Sequence, residues 1–318
     1  MKLFTISLFL LIGIVAIGQS TPIDMKITNW EQFKTFYNKE YSSPEEEAKR
    51  KENFMRSLKF VKENEKNPHG IELSINEMSD LNDFEFEGRT LGRHGQKVIE
   101  HINSTKANTF EEYSQFPRRF DWRDRVPLSP IENQGQCGSC YSFATTFTVE
   151  ALRAYKKNSR IILSKQELVD CSKPMVDSGV HGSDDYPYNG NPNEGCYKNR
   201  LRNRPAYRID DYGRYDFNTN DESIMYALLN YGPVSVVIHG TSNYFRHYRG
   251  GIMRNILSFT QETNHVVALI GWGTENGIDY WVLRNSWGTG WGEQGYARVE
   301  RHHNLLGLNN WVTYPIIH

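Results

Sequence analysis

Apolar side chains recur at helical spacing in two stretches of the first 70 residues. The aromatic residues of positions 30–37 lie on one helical face. A second helix is predicted to begin at Ser43, because this serine can cap it, Pro44 fits its first turn and Glu46 completes a capping box. Alternation of apolar and polar residues over 71–76 then predicts a short strand.

A longer helical pattern starts at Cys140, and strand patterns follow it. Its apolar face is formed by Phe143, Phe147, Ala151 and Tyr155. A short capped helix is predicted over 163–171. The β-forming runs are 234–238, 265–270 and 280–284. Asn276-Gly277 between the last two runs is a hairpin signal. Because helices precede strands, the sequence predicts an α+β fold with two lobes.

The N-terminal third of the chain contains two segments without a folding pattern. Residues 1–18 combine a positive start, an apolar stretch too short to span a membrane and a small-residue cleavage site, which predicts a signal peptide. Residues 88–115 show no sustained period and carry a glycosylation sequon at Asn103, which predicts an exposed linker. We therefore divide the chain into 1–18, 19–115 and a domain over 116–318, with a helical lobe up to about residue 206 and a β lobe from about residue 207.

The charge balance excludes several functions. Lys and Arg number 37 against 38 Asp and Glu, a net charge of −1, so we expect no nucleic-acid partner held by phosphate attraction. No long apolar run follows the signal peptide, so we expect no membrane contact after its removal. Entry into the secretory pathway permits disulfides among the four cysteines. No cofactor is expected, and no metal either, since no second ligand pair lies near Cys137 and Cys140.

The candidate chemistry lies at Cys140. A glycine-rich loop precedes this cysteine and a helix begins at it, so backbone N–H groups and the positive end of the helix both favour a thiolate there. If Cys140 is a nucleophile, one disulfide can form among the other three cysteines, and one cysteine is left over.

A cysteine nucleophile needs a base, a residue that orients the base, and donors for the oxyanion. His265 and Asn285 lie almost symmetrically about the predicted hairpin turn, so their side chains are expected to face each other across the two strands. An asparagine suits a thiolate–imidazolium pair, because that ion pair is expected to exist before substrate arrives. Gln134 and the Cys140 backbone N–H are candidate oxyanion donors, and Trp287 could cover the Asn285–His265 hydrogen bond.

Together these motifs resemble the papain family of cysteine proteases. The resemblance is carried by Gln134-x-x-Cys137-Gly138-Ser139-Cys140-Tyr141, by Asn264-His265 and by Asn285-Ser286-Trp287-Gly288. Upstream, Glu46, Arg50 and Phe54 match the family's prosegment helix, and 76–80 resembles its second prosegment motif. Residues 245–248 and 277–281 look most like the group 1 mite allergens within this family.

The resemblance implies a secreted zymogen in which residues 19–115 form an inhibitory propeptide. The mature enzyme would have a helical left lobe and a barrel-like right lobe, and it would hydrolyse peptide bonds through an acyl-thioester on Cys140. The resemblance implies that Gly138, Ser139, Asn264 and Trp287 contact substrate. The implied partners are protein or peptide substrates, the chain's own propeptide and cystatin-like inhibitors. The implied location is extracellular, with a lysosomal-type compartment as the alternative.

The sequence departs from the family pattern at two places. Tyr141 stands where the family usually has tryptophan, a change that the signature tolerates. After Cys171 the chain is about 15–20 residues shorter than the family pattern. The resemblance then implies a Cys171–Cys196 disulfide and leaves Cys137 without its usual partner. A lost exon or a diverged gene copy would each account for the gap.

Two alternative functions are kept. Cys137-Gly138-Ser139-Cys140 is a Cys-x-x-Cys motif, which is found in thiol oxidoreductases, but no parallel βαβ pattern surrounds it. The second alternative is a catalytically impaired protease homologue with a binding or decoy role, because the missing segment normally binds the substrate backbone.

Overall fold

The computed structural model describes residues 26–90, 116–171, 179–215, 219–254 and 263–318. The predicted signal peptide, the sequon at Asn103 and most of the predicted linker lie outside these ranges. Residues 172–178 also lie outside these ranges. They directly follow Cys171, after which the family pattern has more residues than this chain.

Most of the helical residues in the described ranges lie in the first half of the chain. The α-helices of the described ranges are α1 (Trp30–Tyr37), α2 (Pro44–Glu63), α3 (Asp83–Gly88), α4 (Cys140–Lys157), α5 (Lys165–Cys171), α6 (Asp221–Asn230) and α7 (Asn243–Arg246). The hydroxyl of Ser43 accepts from the Glu46 N–H and caps α2, as expected. The reciprocal bond of the predicted capping box is not formed, because the Glu46 carboxylate accepts from the N–H and hydroxyl of Ser42 instead.

Most of the strands in the described ranges lie in the second half of the chain. They are β1 (Ile71–Leu73), β2 (Phe120–Asp121), β3 (Val180–His181), β4 (Ala206–Tyr207), β5 (Asp211–Tyr215), β6 (Val234–Ile238), β7 (Tyr248–Met253), β8 (His265–Glu275), β9 (Ile278–Arg284), β10 (Tyr296–Glu300) and β11 (Val312–Ile316). Within the described ranges, one large sheet has the order β1-β7-β10-β9-β8-β6-β11-β5, and β2 pairs with β8. The predicted α+β fold is confirmed.

The predicted hairpin joins β8 to β9. Asn276 has φ of 52° and Gly277 has φ of 78°, which is the left-handed pair that a two-residue type I′ turn requires. Helix α4 packs across β8 and buries the face that carries Phe143 and Phe147. This packing brings the start of α4 against the start of β8, where the candidate nucleophile and base lie.

The described residues before 91 fold as a small unit that joins the sheet at its edge. Trp30, Phe33, Phe54 and Leu58 from α1 and α2 form its core. Its strand β1 pairs antiparallel with β7 of the domain. The predicted strand over 71–76 is therefore real but ends at Leu73, since Asn76 turns the chain by accepting from the Met78 N–H.

A disulfide joins Cys171 to Cys196, whereas Cys137 and Cys140 are free thiols. None of the helices in the described ranges combines the length and the hydropathy needed to cross a membrane.

Candidate active site

Cys140 is the first residue of α4 and is fully buried. Its Sγ accepts a hydrogen bond of 3.4 Å from the backbone N–H of Val266. Because Val266 follows His265 directly, this contact fixes the thiol next to the start of β8. Cys140 also belongs to a small apolar cluster with Val237 and Val266, and Tyr141 packs at its edge.

His265 and Asn285 are joined by a hydrogen bond of 2.8 Å between Nε2 and Oδ1. The sequence suggested that the two residues face each other directly across the strands. In the structure they are diagonal neighbours instead. The ladder pairs Ala268 with Arg284, and a bulge lies between Leu269 and Gly271. Continuing the Ala268–Arg284 pairing by three residues would set His265 opposite residue 287, so Asn285 reaches the imidazole along the diagonal.

Trp287 covers this pair. The centroid of its ring lies 4.7 Å from that of His265, with an angle of 30° between the planes. Phe245 packs edge-on against Trp287 at 5.4 Å. Both His265 and Asn285 are buried, and the tryptophan is 3% exposed. The hydrogen bond between imidazole and amide is therefore shielded from water, which strengthens it.

The side-chain amide of Gln134 is committed to three partners. Its Nε2 donates to the carbonyl of Cys137 at 2.8 Å and to the carbonyl of Arg89 at 2.6 Å. Its Oε1 accepts from the Ser286 hydroxyl at 2.6 Å. The Ser286 contact sets the orientation of the amide, so that its N–H groups face the Cys137–Cys140 loop. The Arg89 carbonyl of the prosegment therefore occupies the place beside the Gln134 amide where an oxyanion is expected to bind.

Arg89 is a site residue that sequence reasoning missed. It follows α3 at the end of the described prosegment and is 2% exposed. Its guanidinium donates to Asn133 Oδ1 at 3.0 Å, and burial lowers the pKa of Arg89 to about 10. The sequence around Arg89 has no periodic pattern, so nothing in it indicates that this residue enters the site.

Burial controls the protonation of the catalytic pair. It raises the pKa of the Cys140 thiol to about 12 and lowers the pKa of the His265 imidazole to about 4. The expected ion pair is therefore not favoured in this form of the protein, since both groups are fully buried and neutral. The hydrogen bond from His265 to Asn285 raises the pKa of the imidazole, but this effect is smaller than that of burial.

A second prosegment contact lies on the β lobe. The guanidinium of Arg246 is buried and donates to the carbonyls of Met78, at 2.5 Å, and Leu81, at 2.7 Å. The carbonyl of Arg246 accepts from the Asn76 side chain at 2.7 Å. The guanidinium of Arg246 also lies over the Phe86 ring, with its Cζ atom 4.6 Å from the ring centroid. This arginine holds the turn that connects β1 to α3.

The other predicted substrate-contacting residues lie around the same cleft. Gly138 and Ser139 directly precede α4, and the Ser139 hydroxyl lies 2.8 Å from the hydroxyl of Tyr188. The side chain of Asn264 is used internally: its Oδ1 accepts from the Gly240 N–H at 2.9 Å and its Nδ2 donates to the Thr241 hydroxyl at 3.0 Å.

Comparisons with known proteins agree with this geometry. Residues 116–316 match the papain family cysteine proteases, and residues 30–86 match the cathepsin propeptide inhibitor domain. A cysteine protease of Blomia tropicalis is 38% identical over 96% of this chain and 98% of its own length. Papaya proteinase 4 of Carica papaya is 33% identical over 88% of this chain and 84% of its own length.

Solved structures show the same likeness. A chain from a study of antibody cross-reactivity between the mite allergens Blo t 1 and Der p 1 has a TM-score of 0.81 and 37% identity, and the match covers 92% of this chain and 100% of that one. Digestive procathepsin L 3 of Tenebrio molitor has a TM-score of 0.78 and 30% identity, with 91% and 98% of the two chains covered.

Proposed function

The chain belongs to the papain family of cysteine proteases and carries their propeptide inhibitor domain, and from this premise we propose a secreted endopeptidase zymogen in which Cys140 is the nucleophile. One observation carries the assignment of the site: the 2.8 Å bond from His265 to Asn285 lies beside the start of α4, where the Cys140 thiol contacts Val266.

The proposed reaction uses the two nitrogens of His265 differently. Asn285 accepts from Nε2, which leaves the lone pair on Nδ1, a buried atom without a hydrogen-bond partner among the described residues. Nδ1 takes the proton of the Cys140 thiol, and Sγ then attacks the carbonyl carbon of the scissile peptide. The imidazolium returns the proton to the leaving amine, which departs and leaves an acyl-thioester. Water, deprotonated by the same imidazole, releases the acid and restores the thiol.

The charge that develops on the carbonyl oxygen needs donors. The Gln134 Nε2 and the Cys140 backbone N–H are proposed to bind it, a type of contact that contributes on the order of 10²–10³ in rate. Gly138, Ser139, Asn264 and Trp287 are proposed to contact the substrate around the scissile bond. The hydrogen bond between Gln134 and Arg89 supports this proposal, because it shows that a peptide carbonyl fits at that amide.

Activation requires removal of the prosegment. We assign residues 1–18 to a signal peptide, 19–115 to the propeptide and 116–318 to the peptidase domain. Secretion, with a lysosomal-type compartment as the alternative destination, rests on the signal sequence. Protein or peptide substrates and cystatin-like inhibitors are the proposed partners of the mature enzyme.

The experiment is active-site titration of the processed protein with E-64, the compound found in complexes of a Carica candamarcensis cysteine protease and of bromelain. We expect one equivalent of E-64 on Cys140, together with cleavage of a fluorogenic peptide. The Cys140→Ala variant should keep its fold and show neither. A wild-type protein that is folded and processed but neither labelled nor active would overturn the proposal.

That negative outcome would favour a catalytically impaired homologue with a binding role. Two observations support this second candidate. Cys137 is a free thiol. The alignment with the Blomia tropicalis protease runs over 329 positions, more than the 318 residues of this chain, so the chain lacks residues that its relative has.

A further inference from the structure

The hydroxyl of Tyr188 contacts the loop before the nucleophile at both of its ends. It donates to the backbone carbonyl of Gln134 at 2.7 Å. It also lies 2.8 Å from the hydroxyl of Ser139, the residue before Cys140. The same hydroxyl faces the thiol of Cys137 in the middle of the loop. One phenol therefore connects Gln134, the proposed oxyanion donor at one end of the loop, to Ser139 at the other end, directly before α4.

No disulfide links this loop to the rest of the domain. Cys137 is a free thiol, and the disulfide of the helical lobe joins Cys171 to Cys196. From the β lobe, Ser286 holds the loop through its carbonyl, which accepts from the Gln134 N–H at 2.9 Å. From the helical lobe, the Tyr188 hydroxyl holds it. Hydrogen bonds from both lobes thus help to fix the loop.

Tyr188 is itself well anchored. Its ring packs edge-on against Phe143 of α4, with 4.9 Å between the ring centroids and 82° between the planes. The backbone N–H groups of Asn189 and Gly190 both donate to Oε1 of Gln166 in α5. Burial raises the pKa of the Tyr188 phenol well above its usual range, so the hydroxyl stays protonated and available as a donor. A rigid neutral donor of this kind suits a positioning role.

We propose that Tyr188 is a positioning residue for the peptidase reaction, whose hydroxyl holds the 134–139 loop so that the Gln134 amide and the Cys140 thiol meet the scissile carbonyl together. The inference rests on the proposed function. A loop that moves by about 1 Å misplaces both groups, and misplacement of that size can cost up to 10²-fold in rate.

The test is Tyr188→Phe in the full-length chain, processed in the same way as the wild type. Loss of one hydrogen bond to the loop should lower kcat about tenfold and leave KM within about twofold. The matched control is Tyr186→Phe, which removes another hydroxyl of the same segment. That hydroxyl donates to Asp170 at 2.8 Å and touches neither Gln134 nor Ser139. We expect the control to keep the wild-type kcat.

A double-mutant cycle separates positioning from general destabilisation. If Tyr188 acts partly through Gln134, Tyr188→Phe should lower kcat by a clearly smaller factor in a Gln134→Ala background than in the wild type, because one of the two groups that it positions is already absent and only the misplaced Cys140 thiol contributes. Equal effects of Tyr188→Phe in both backgrounds, or a Tyr188→Phe enzyme with the wild-type kcat, would overturn the proposal.

A second measurement distinguishes a failure of the role proposed for Tyr188 from a failure of the proposed peptidase function. The rate of alkylation of Cys140 by iodoacetamide, followed by mass spectrometry, needs no peptide cleavage and should fall several-fold in Tyr188→Phe. A wild type that cleaves no peptide would reject the proposed function, while an unchanged alkylation rate would reject the role of Tyr188. If Tyr188→Phe does not fold, Ser139→Ala breaks the second contact, and an unchanged alkylation rate there rejects the proposal equally.

Discussion

The backbone carbonyl of Arg89 accepts a hydrogen bond of 2.6 Å from the side-chain amide of Gln134. The prosegment therefore occupies the group that we propose to bind the oxyanion. It thereby holds the proposed oxyanion donor in a hydrogen bond that, on our proposal, a substrate carbonyl replaces.

Arg89→Ala should weaken latency. The substitution removes a buried guanidinium that donates to Asn133 and exposes the cleft beside Gln134. Loss of a charged hydrogen bond typically costs about 2 kcal/mol, so we expect E-64 to label the zymogen roughly tenfold or more faster at neutral pH. Lys62→Ala, on the exposed side of α2, is the control and should label at the wild-type rate. Equal rates for the two variants would contradict the role of Arg89.

Arg246→Ala should separate latency from catalysis. Its guanidinium donates to two prosegment carbonyls, those of Met78 and Leu81, and its removal takes a charged donor from each, although the Met78 carbonyl still accepts from the Leu81 N–H. We expect the prosegment to bind the variant domain about 3 kcal/mol more weakly, or roughly 10²-fold in the inhibition constant of an added prosegment peptide. The kcat of the processed variant should equal that of the wild type. A kcat that falls together with the affinity would show that Arg246 supports the domain itself.

Asn285→Ala should lower kcat on the order of 10²-fold. The imidazole of His265 would lose the acceptor that fixes its orientation, while Trp287 would still cover it. Steady-state kinetics on a fluorogenic peptide measure the effect, and Asn230→Ala, an exposed asparagine on α6, is the control. A kcat within twofold of the wild type would mean that packing against Trp287 alone orients the ring.

Acid should promote release of the prosegment through His247. Burial lowers the pKa of this imidazole from about 6.5 to about 3, and the neighbouring Arg246 acts in the same direction. Its Nδ1 lies 3.3 Å from the carbonyl of Ser74 in the prosegment. Below pH 6.5, His247 binds a proton when the prosegment is released but not when the prosegment is docked. The docking stability is therefore complete above pH 6.5 and falls as the pH falls towards 3.

The measurement is the rate of zymogen processing between pH 7 and pH 4. A single histidine whose pKa changes in this way can accelerate release of the prosegment by up to about tenfold per pH unit. His247→Gln should flatten this dependence, whereas His303→Gln, at an exposed position, should leave it unchanged. An identical pH dependence in wild type and His247→Gln would assign the acid response to other groups, among them His265, whose pKa burial lowers to about 4.

Local patterns in the sequence were enough to predict the helix that begins at Cys140 and the turn at Asn276-Gly277. Both depend on residues that are close in the chain: an apolar face with a 3.6-residue period and a left-handed pair at the hairpin tip. The hairpin also brought His265 near Asn285. The β8–β9 bulge, and with it the diagonal geometry of the pair, left no signal in the sequence, because one extra residue in a strand does not change its composition.

The occupant of the Gln134 amide could not be predicted. Arg89 lies 45 residues before Gln134 in the chain, and the contact depends on how the whole prosegment docks. The expected thiolate–imidazolium pair also depended on tertiary structure. The loop and helix dipole favour the anion, but burial in the folded protein outweighs them and leaves Cys140 and His265 neutral.

Strand β1 belongs to the prosegment, yet it forms an edge of the sheet by pairing with β7. Maturation therefore uncovers a row of backbone donors and acceptors on β7, which in other proteins invites addition of a foreign strand. Here the uncovered row is short. The pairing spans three residues of β1 and includes Gly250 and Gly251, and Gly251 has φ of 87°. A short edge with an irregular backbone is a poor template, so the processed enzyme can lose a strand without becoming prone to aggregation through that edge.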